Sequence, residues 1–388
     1  MPPKSKKRVK KALTPVPDSN SEIENSPTEN RISPPSTGVA PRGFLALPNE
    51  LVSLILSYFP EIKPEHILMN PTFIGNWKNA DNYSVRFDVL RALSQICRLA
   101  REIYLPLLWE RFQVCLTNTE VSWYRSIGLA MERKSEGMLK SKHLWPYVKV
   151  VTVTLSRFQT STVLPPFVKM LGVLSNVHTL EISHAHSLMT RALKEAFEGN
   201  VFPSIQKVIL PTCAHEILRC CPEVREVTCN EDDGGRLVSA LVHTGCKKLE
   251  VLRGVCPGPV LMKRLSTAAP PLRCIDITNV SQDMLPIYGT FPSLRVVEID
   301  CFGTTVTDDD VKLGKDILRA CANYKPPKKG KKSRRNMADG GLSDSGLADL
   351  YPEPRVVRVR TFPQRYYEKS PEGFTPLGVE DIPFVDSV

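Results

Sequence analysis

Residues 177–182 read Val-His-Thr-Leu-Glu-Ile, and their apolar positions, spaced by three and then by two, form the pattern that decides the fold. The same spacing recurs along the chain, with a glycine in the last position of one copy. The copies are Val148/Val151/Val153, Val177/Leu180/Ile182, Ile205/Val208/Leu210, Val224/Val227/Cys229, Leu249/Leu252/Gly254, Leu272/Ile275/Ile277 and Leu294/Val297/Ile299. Short alternating runs of this kind are typical of β-strands with one buried face. We therefore predict seven short strands between residues 145 and 324.

The spacing between copies indicates a repeat architecture. Their first apolar positions lie 19 to 29 residues apart, which is the range of the leucine-rich-repeat period. Helix-like runs stand between the strands, for example at 190–198, 214–220 and 236–243. The prediction for residues 145–324 is an irregular leucine-rich-repeat solenoid of the α/β class, whose strands line a concave face.

One position of each copy is predicted to face outward on that concave side. It lies between the last two apolar residues, and side chains alternate across a strand. These positions are Thr152, Glu181, Ile209, Thr228, Arg253, Asp276 and Glu298. The row is mixed and mildly acidic, so we predict that it binds a polar or basic protein substrate. The alternative is a solvated face with no partner, because isolated surface charges contribute little.

The segment 44–112 has a helical texture instead. Leu47, Leu51, Leu54, Ile55, Tyr58 and Phe59 form one apolar stripe at helical spacing. Pro48 and Glu50 suit the first turn of a helix, and Pro60 ends it. A second helical stripe runs through Val85, Val89, Leu93, Ile96, Cys97, Ala100 and Tyr104. Pro106 is predicted to break that helix, and Leu107 to begin a short third element.

The segment resembles an F-box on three motifs in order. The first is Leu47-Pro48-x-Glu50-Leu51-Val52-x-x-Ile55-Leu56. The second is Leu93-Ser94-Gln95-Ile96-Cys97-Arg98-Leu99-Ala100-Arg101, and the third is Leu105-Pro106-Leu107-Leu108-Trp109-Glu110. This chain departs from the family at residues 61–84, where a long insertion stands in place of a short loop. An insertion in a loop adds little closure entropy, so the helical unit is expected to form with it.

The resemblance implies a function in ubiquitin ligation. F-box proteins are non-catalytic substrate receptors that bind a small Skp-type adaptor, which joins a cullin scaffold. A three-helix unit of this size leaves apolar groups for a partner helix. Carried over by motif, the adaptor-binding candidates are Leu47, Pro48, Leu51, Ile55, Leu93, Cys97, Leu108 and Trp109. The alternative for each of them is a place in the internal core of the helical unit.

The net charge of +10 is concentrated in two short runs that contain no acid. The runs comprise Lys4, Lys6, Lys7, Arg8, Lys10 and Lys11, and then Lys325, Lys328, Lys329, Lys331, Lys332, Arg334 and Arg335. These thirteen charges exceed the net charge of the whole chain, so the rest is slightly acidic. We predict that the runs at 4–11 and 328–335 are nuclear import signals, which places the protein in the nucleus, the cytoplasm or both.

The remaining boundaries follow from composition. Residues 1–43 are rich in proline and polar residues, and we predict a disordered basic tail there. We predict a linker at 113–144, a basic low-complexity linker at 325–350, and a C-terminal tail at 351–388 with a strand-like run from Val356 to Arg360. No stretch is long and apolar enough to span a bilayer. The chain is therefore expected to be intracellular, with no membrane partner.

The sequence offers no catalytic constellation and no cofactor site. It has no phosphate-binding glycine loop, no G-x-S-x-G elbow and no H-E-x-x-H motif. His184 and His186 are the best metal candidates, but a metal needs three or four ligands and none stands beside them. The eleven cysteines contain no C-x-x-C pair, so we expect buried thiols. The prediction is a protein that is not an enzyme.

Two other functions fit the same sequence. The first is a nuclear repeat scaffold whose basic tails contact nucleic acid, since Lys/Arg clusters drive phosphate binding. Neither basic run has interleaved aromatic residues for base stacking. The second is a repeat protein whose amino-terminal helices only cap the repeats. The exposure of Pro48 and Leu51 separates a cap from an adaptor-binding unit.

Overall fold

The structure is a computed structural model, and it describes residues 47–59, 77–115, 123–244, 247–268, 271–277, 284–302, 307–323, 354–362 and 378–384. All of these residues lie in one compact unit, Leu47–Val388. The fold is mixed α/β, with a ten-stranded sheet in the part of the chain that the structure describes.

The strands stand in the sheet in the order in which they occur in the chain. They are β1 (Arg111–Val114), β2 (Val150–Leu155), β3 (Thr179–Ala185), β4 (Lys207–Pro211), β5 (Glu226–Glu231), β6 (Val251–Arg253), β7 (Cys274–Asp276), β8 (Val296–Phe302), β9 (Val356–Phe362) and β10 (Gly378–Pro383). Every neighbouring pair from β1 to β9 is parallel, and β10 is antiparallel to β9. Each of the seven repeat copies supplies one strand, β2 to β8.

Helices stand before and between the strands. They are α1 (Asn49–Ser57), α2 (Trp77–Leu93), α3 (Arg98–Trp109), α4 (Trp123–Lys140), α5 (Thr160–Val173), α6 (Thr190–Phe197), α7 (Gly235–Thr244), α8 (Pro259–Thr267), α9 (Leu285–Tyr288) and α10 (Asp308–Asn323). Three 3₁₀ segments, Lys142–Tyr147, Ser187–Met189 and Thr212–Cys220, complete the described elements. None of the described helices is long and apolar enough to cross a membrane.

The apolar repeat positions build one continuous core. Val151, Leu180, Val208, Val227 and Leu252 are at 0% exposure, and they belong to the same cluster as the helices that follow them. From α4 onward the helical segments pack against one another in chain order, just as the strands do. A single sheet face therefore buries its apolar residues under a layer of helices.

A relay of backbone hydrogen bonds shows that the repeats are equivalent. The amide of the residue before each of β2 to β8 donates to the carbonyl of the residue before the preceding strand, over 2.7 to 3.0 Å, and Val356, the first residue of β9, continues the series. The relay passes from Glu110 through Lys149, His178, Gln206, Arg225, Glu250, Arg273 and Arg295 to Val356. Because buried backbone groups need partners, this relay fixes the register of each repeat on the one before it.

The second helical stripe of the sequence does not form one helix. Helix α2 ends at Leu93, and α3 begins after a turn at residues 94–97. Cys97 caps α3, because its Sγ accepts a hydrogen bond from the Ala100 amide at 3.4 Å. The prediction that Pro106 breaks the helix is also wrong. Burial of Tyr104 and Leu108 on either side of the proline holds α3 together although one backbone bond is lost.

The folded part extends beyond the predicted repeat boundaries on both sides. Helix α2 begins inside the predicted insertion 61–84, of which residues 61–76 lie outside the described part. The predicted linker 113–144 contains α4, which buries Ile127, Met131 and Met138 in the core. The strand-like run from Val356 to Arg360 belongs to β9, which pairs with β8. The sheet therefore has three strands more than the seven predicted.

Candidate protein-binding surfaces

Helix α1 is apolar on two sides, and only one of them is covered. Val52 and Leu56 are 6% and 4% exposed, and so they form its inner side. Leu51, Leu54 and Tyr58 are 44%, 53% and 79% exposed, and Ile55 lies beside them. A helix that is apolar all round is normally buried all round. The outer side of α1 therefore has the composition of an interface.

Further exposed apolar side chains stand on α2, on the turn after it, and on α3. Nine of the fifteen large apolar side chains that are exposed in the described part of the chain belong to these elements and to α1. We call the set the helical apolar surface: Leu51, Leu54, Ile55, Tyr58, Val85, Phe87, Ile96, Leu99 and Leu107. Isolated exposed apolar residues are ordinary, but a concentration of this kind marks an interaction site.

Contacts behind the surface hold these helices in place. The Arg86 guanidinium on α2 donates to the carbonyl of Leu56 on α1 at 2.7 Å. Helix α3 packs against α2, against β1 and against the 3₁₀ segment Lys142–Tyr147. Leu105 and Trp109 on α3 also contact the main core. The helical unit is thus joined firmly to the amino-terminal end of the sheet.

The predicted adaptor-binding residues divide between this surface and the interior. Pro48, Leu51, Ile55 and Cys97 are exposed, whereas Leu47, Leu93 and Trp109 are half-buried and Leu108 is buried. Trp109 packs against the core, so the alternative of an internal role describes Leu108 and Trp109 better. Seven residues of the surface were not among the candidates: Leu54, Tyr58, Val85, Phe87, Ile96, Leu99 and Leu107. Their apolar type within a small helical unit was the only available signal.

The predicted substrate-binding row is aligned across the sheet. Thr152 pairs with Glu181, Glu181 with Ile209, and the same register leads through Thr228 to Arg253. Asp276 likewise pairs with Glu298. The row gains Gln113 at one end and Arg358 and Asp381 at the other, which are on strands that the repeat pattern did not include.

The row is not the open, solvated face that the repeat pattern suggested. Six of its seven predicted members are at most 6% exposed, and the Arg253 side chain is 19% exposed. At the amino-terminal end, the Arg111 guanidinium on β1 donates to Thr152 Oγ1 at 2.7 Å and to Glu181 Oε2 at 2.6 Å. Thr152 also donates to Glu181 at 2.6 Å. These polar groups satisfy one another instead of facing water.

A second ionic network lies at the carboxy-terminal end of the row. Arg253 holds both carboxylate oxygens of Glu298, at 2.6 and 3.1 Å. Burial alone would raise the pKa of Glu298, but the hydrogen bond and charge of Arg253, with the charge of Arg360, bring it below its ordinary value. Arg358 binds both oxygens of Asp381 in the same forked way. This network ties β9 and β10 to the repeats.

The acids and thiols of this network have unusual proton affinities. Burial and the charge of Asp276 raise the pKa of Asp300 to about 7, against the opposing charge of Arg360. Arg360 nevertheless donates to both Asp300 oxygens, at 2.6 and 2.9 Å. Burial and the charge of Glu298 raise the pKa of the Cys274 thiol to about 12, so Cys274 stays a neutral thiol.

The histidine pair does not belong to a metal cluster. The His184 ring lies 2.6 Å from a Glu231 oxygen, and the His186 ring accepts a hydrogen bond from the Leu188 amide. Within the described ranges, no group of three or more His, Cys, Asp or Glu side chains could hold a metal ion. The predicted import signals lie outside the described residues. No protein-family model matches the chain, and no curated protein matches it either.

Proposed function

We propose that this protein is a non-catalytic substrate receptor of a Skp-cullin-F-box ubiquitin ligase. The helical apolar surface carries the proposal, because it stands on the segment whose motifs resemble an F-box. Helix α3 packs on β1, the first strand of the sheet, and the other nine strands follow in chain order. That arrangement suits a protein that joins an adaptor at one end to a substrate elsewhere. Transfer of ubiquitin itself would fall to the other subunits, through proximity.

The free energy that these apolar side chains could contribute to binding is that of a reversible complex. A large apolar side chain gains about 1.5–3 kcal/mol when fully buried, and these nine are about half covered already. Covering all of them would therefore contribute on the order of 10 kcal/mol. Association itself costs about 4–15 kcal/mol. The apolar contacts would thus offset the cost of association, and polar contacts at the rim would set the affinity.

The exposure of two residues favours adaptor binding over a capping role alone. A helical unit that only capped the repeats would cover Pro48 and Leu51 with the first repeat. Both side chains are exposed instead, although α3 does pack on the amino-terminal end of the sheet. The two roles are compatible, because α3 faces the repeats while α1 presents its outer side to a partner helix.

Co-purification with a Skp-type adaptor tests the proposal. Wild type is expected to bind, and the double change Leu51→Glu/Ile55→Glu to abolish binding, because it places two charges on the exposed side of α1. Val201→Glu/Val260→Glu is the matched control, since both valines are exposed apolar residues outside the surface. Circular dichroism would verify folding. The proposal would be contradicted if neither wild type nor the control bound the adaptor, or if the two double variants bound it equally well.

A further inference from the structure

A cavity of about 680 Å³ lies at the carboxyl ends of β2 and β3, in a part of the molecule that no prediction from the sequence assigned. Its floor consists of residues that end or follow these strands, and one wall comes from the start of α4. Ligands of parallel sheets commonly bind beyond the carboxyl ends of the strands. Its size is that of sites that hold a small organic molecule or a few residues of a peptide.

The cavity has an apolar floor and aromatic walls. Leu155 and Met189 form the buried floor. Trp123 and Phe158 form walls, and Trp123 meets the His184 ring edge-on with centroids 6.1 Å apart. Aromatic side chains provide large contact areas at low entropic cost. The interior therefore suits a large apolar group.

Close packing holds Phe158 in its position as a wall. A Cβ on Gly128 of α4 would come within 2.9 Å of the Phe158 ring, so the glycine leaves the space that the ring occupies. The Arg125 guanidinium lies 5.9 Å from the centre of the same ring. Gln159 next to it adopts a left-handed conformation, with φ of 43°, which for a non-glycine residue needs support from its surroundings. These contacts fix the position of the Phe158 ring.

The positive charge beside the cavity is that of two arginines. Arg157 lies on the rim and is exposed, and the Arg125 guanidinium stands next to the cavity against the Phe158 ring. None of the described residues that line the cavity carries a carboxylate. The Glu231 carboxylate binds the ring of His184, which lines the cavity. An occupant with negative charges around an apolar centre would match both parts of the site.

We propose that this cavity binds an acidic peptide segment that inserts one large apolar or aromatic side chain. The exposed Leu188, at 70% exposure, extends the apolar contact onto the rim, where a peptide backbone would pass. This inference rests on the proposed function in one respect, because it names the substrate class of the receptor. It replaces the buried row on the sheet as the site of substrate contact. Peptide binding needs no adaptor, so the two proposals fail or succeed separately.

Selection from a displayed library of random twelve-residue peptides on the full chain tests the inference. Enriched peptides are expected to share a Trp, Phe, Tyr, Leu or Met flanked by Asp or Glu. One such peptide, labelled with a fluorophore, would then be titrated by anisotropy. Arg157→Glu is expected to weaken its binding at least about tenfold, because the variant places like charges together. Arg133→Glu makes the same charge change on α4 outside the cavity, and should leave the affinity unchanged.

A second pair of variants tests the apolar part of the site. Leu188→Asp on the rim should weaken binding, while Val260→Asp, at a similarly exposed valine of α8, should not. Enrichment of no peptide, enrichment of basic peptides, or equal affinity for wild type and Arg157→Glu would overturn the inference. Loss of adaptor binding with retained peptide binding would overturn only the receptor proposal.

Discussion

Replacement of Arg253 by methionine should lower the free energy of unfolding by about 3 kcal/mol, because it leaves a buried carboxylate without its forked partner. Glu298 is 1% exposed and receives both of its strong hydrogen bonds from Arg253. Methionine keeps most of the length of the arginine stem, so the loss is chiefly that of the charge and its hydrogen bonds.

The size of the effect follows from what remains around the carboxylate. Removing one partner of a buried ion pair typically costs about 3–5 kcal/mol. Arg358 and Arg360 still each have a nitrogen 3.7 Å from a Glu298 oxygen, so the lower end of that range applies. Glu298→Gln should cost less, since the Arg253 side chain is 19% exposed and can reach water.

Urea unfolding at pH 7.5, followed by circular dichroism, measures the loss. Arg98→Met is the control, because its ion pair with Glu102 is formed by exposed side chains and should contribute nothing measurable. The double variant Arg253→Met/Glu298→Gln should be more stable than Arg253→Met, since it removes the unpaired charge. A loss of less than about 1 kcal/mol for Arg253→Met would refute the account of this network, given the range expected for buried pairs.

Three other variants test separate features. Ser135→Ala on α4 should stabilise the protein by about 1 kcal/mol, because the hydroxyl is fully buried and has no partner in the described structure; a lower urea midpoint would count against this. Gly128→Ala should displace Phe158 and weaken binding of the selected peptide while adaptor binding stays unchanged, and unaltered peptide affinity in the anisotropy titration would be inconsistent with the proposed wall. The pKa of Asp300, raised to about 7 by burial and Asp276, means that the folded chain binds this proton more tightly than the unfolded chain. Stability should therefore rise as the pH falls from about 7 towards the ordinary carboxyl pKa of about 4, more steeply in wild type than in Asp300→Asn, and equal slopes in urea series at each pH would contradict the shift.

The repeat strands could be predicted because their signal is local and repeated. Each copy places apolar residues at two-residue spacing in a short segment, and equivalent segments pair in register. The strands β1 and β9 carried the same alternation, but each occurs once and lies apart from the repeats. Their partners could not be read from the sequence, since pairing across a long intervening segment depends on the tertiary fold.

The helices were predicted in type but not in their boundaries. The stripe from Val85 to Tyr104 keeps its helical spacing across the turn at 94–97, so periodicity alone shows no break there. Cys97 is an unusual cap, because serine, threonine, asparagine and aspartate are the residues normally found there. At Pro106 the opposite error was made: a break was predicted where α3 continues, because packing on both sides of the proline outweighs the lost hydrogen bond.

The row predicted for substrate binding is aligned across the sheet, but most of its members are buried and do not face solvent. Its acids Glu181 and Glu298 are paired with arginines from outside the predicted repeats: Arg111 precedes the first copy, and Arg358 and Arg360 follow the last. Only the fold brings those three guanidinium groups beside the acids. The cavity likewise could not be predicted, because it unites the start of α4 with the ends of two strands that are distant in sequence.

The order of the strands also governs how the protein would come apart. Because each strand pairs only with its neighbours along the chain, opening one junction leaves two shorter stacks that are each internally intact. Amide hydrogens should then exchange with solvent in blocks, beginning at the ends of the array. Release of β9 would remove Arg358 and Arg360 from the acids Glu298 and Asp300 of β8. These ion pairs stabilise the junction between β8 and β9 against fraying.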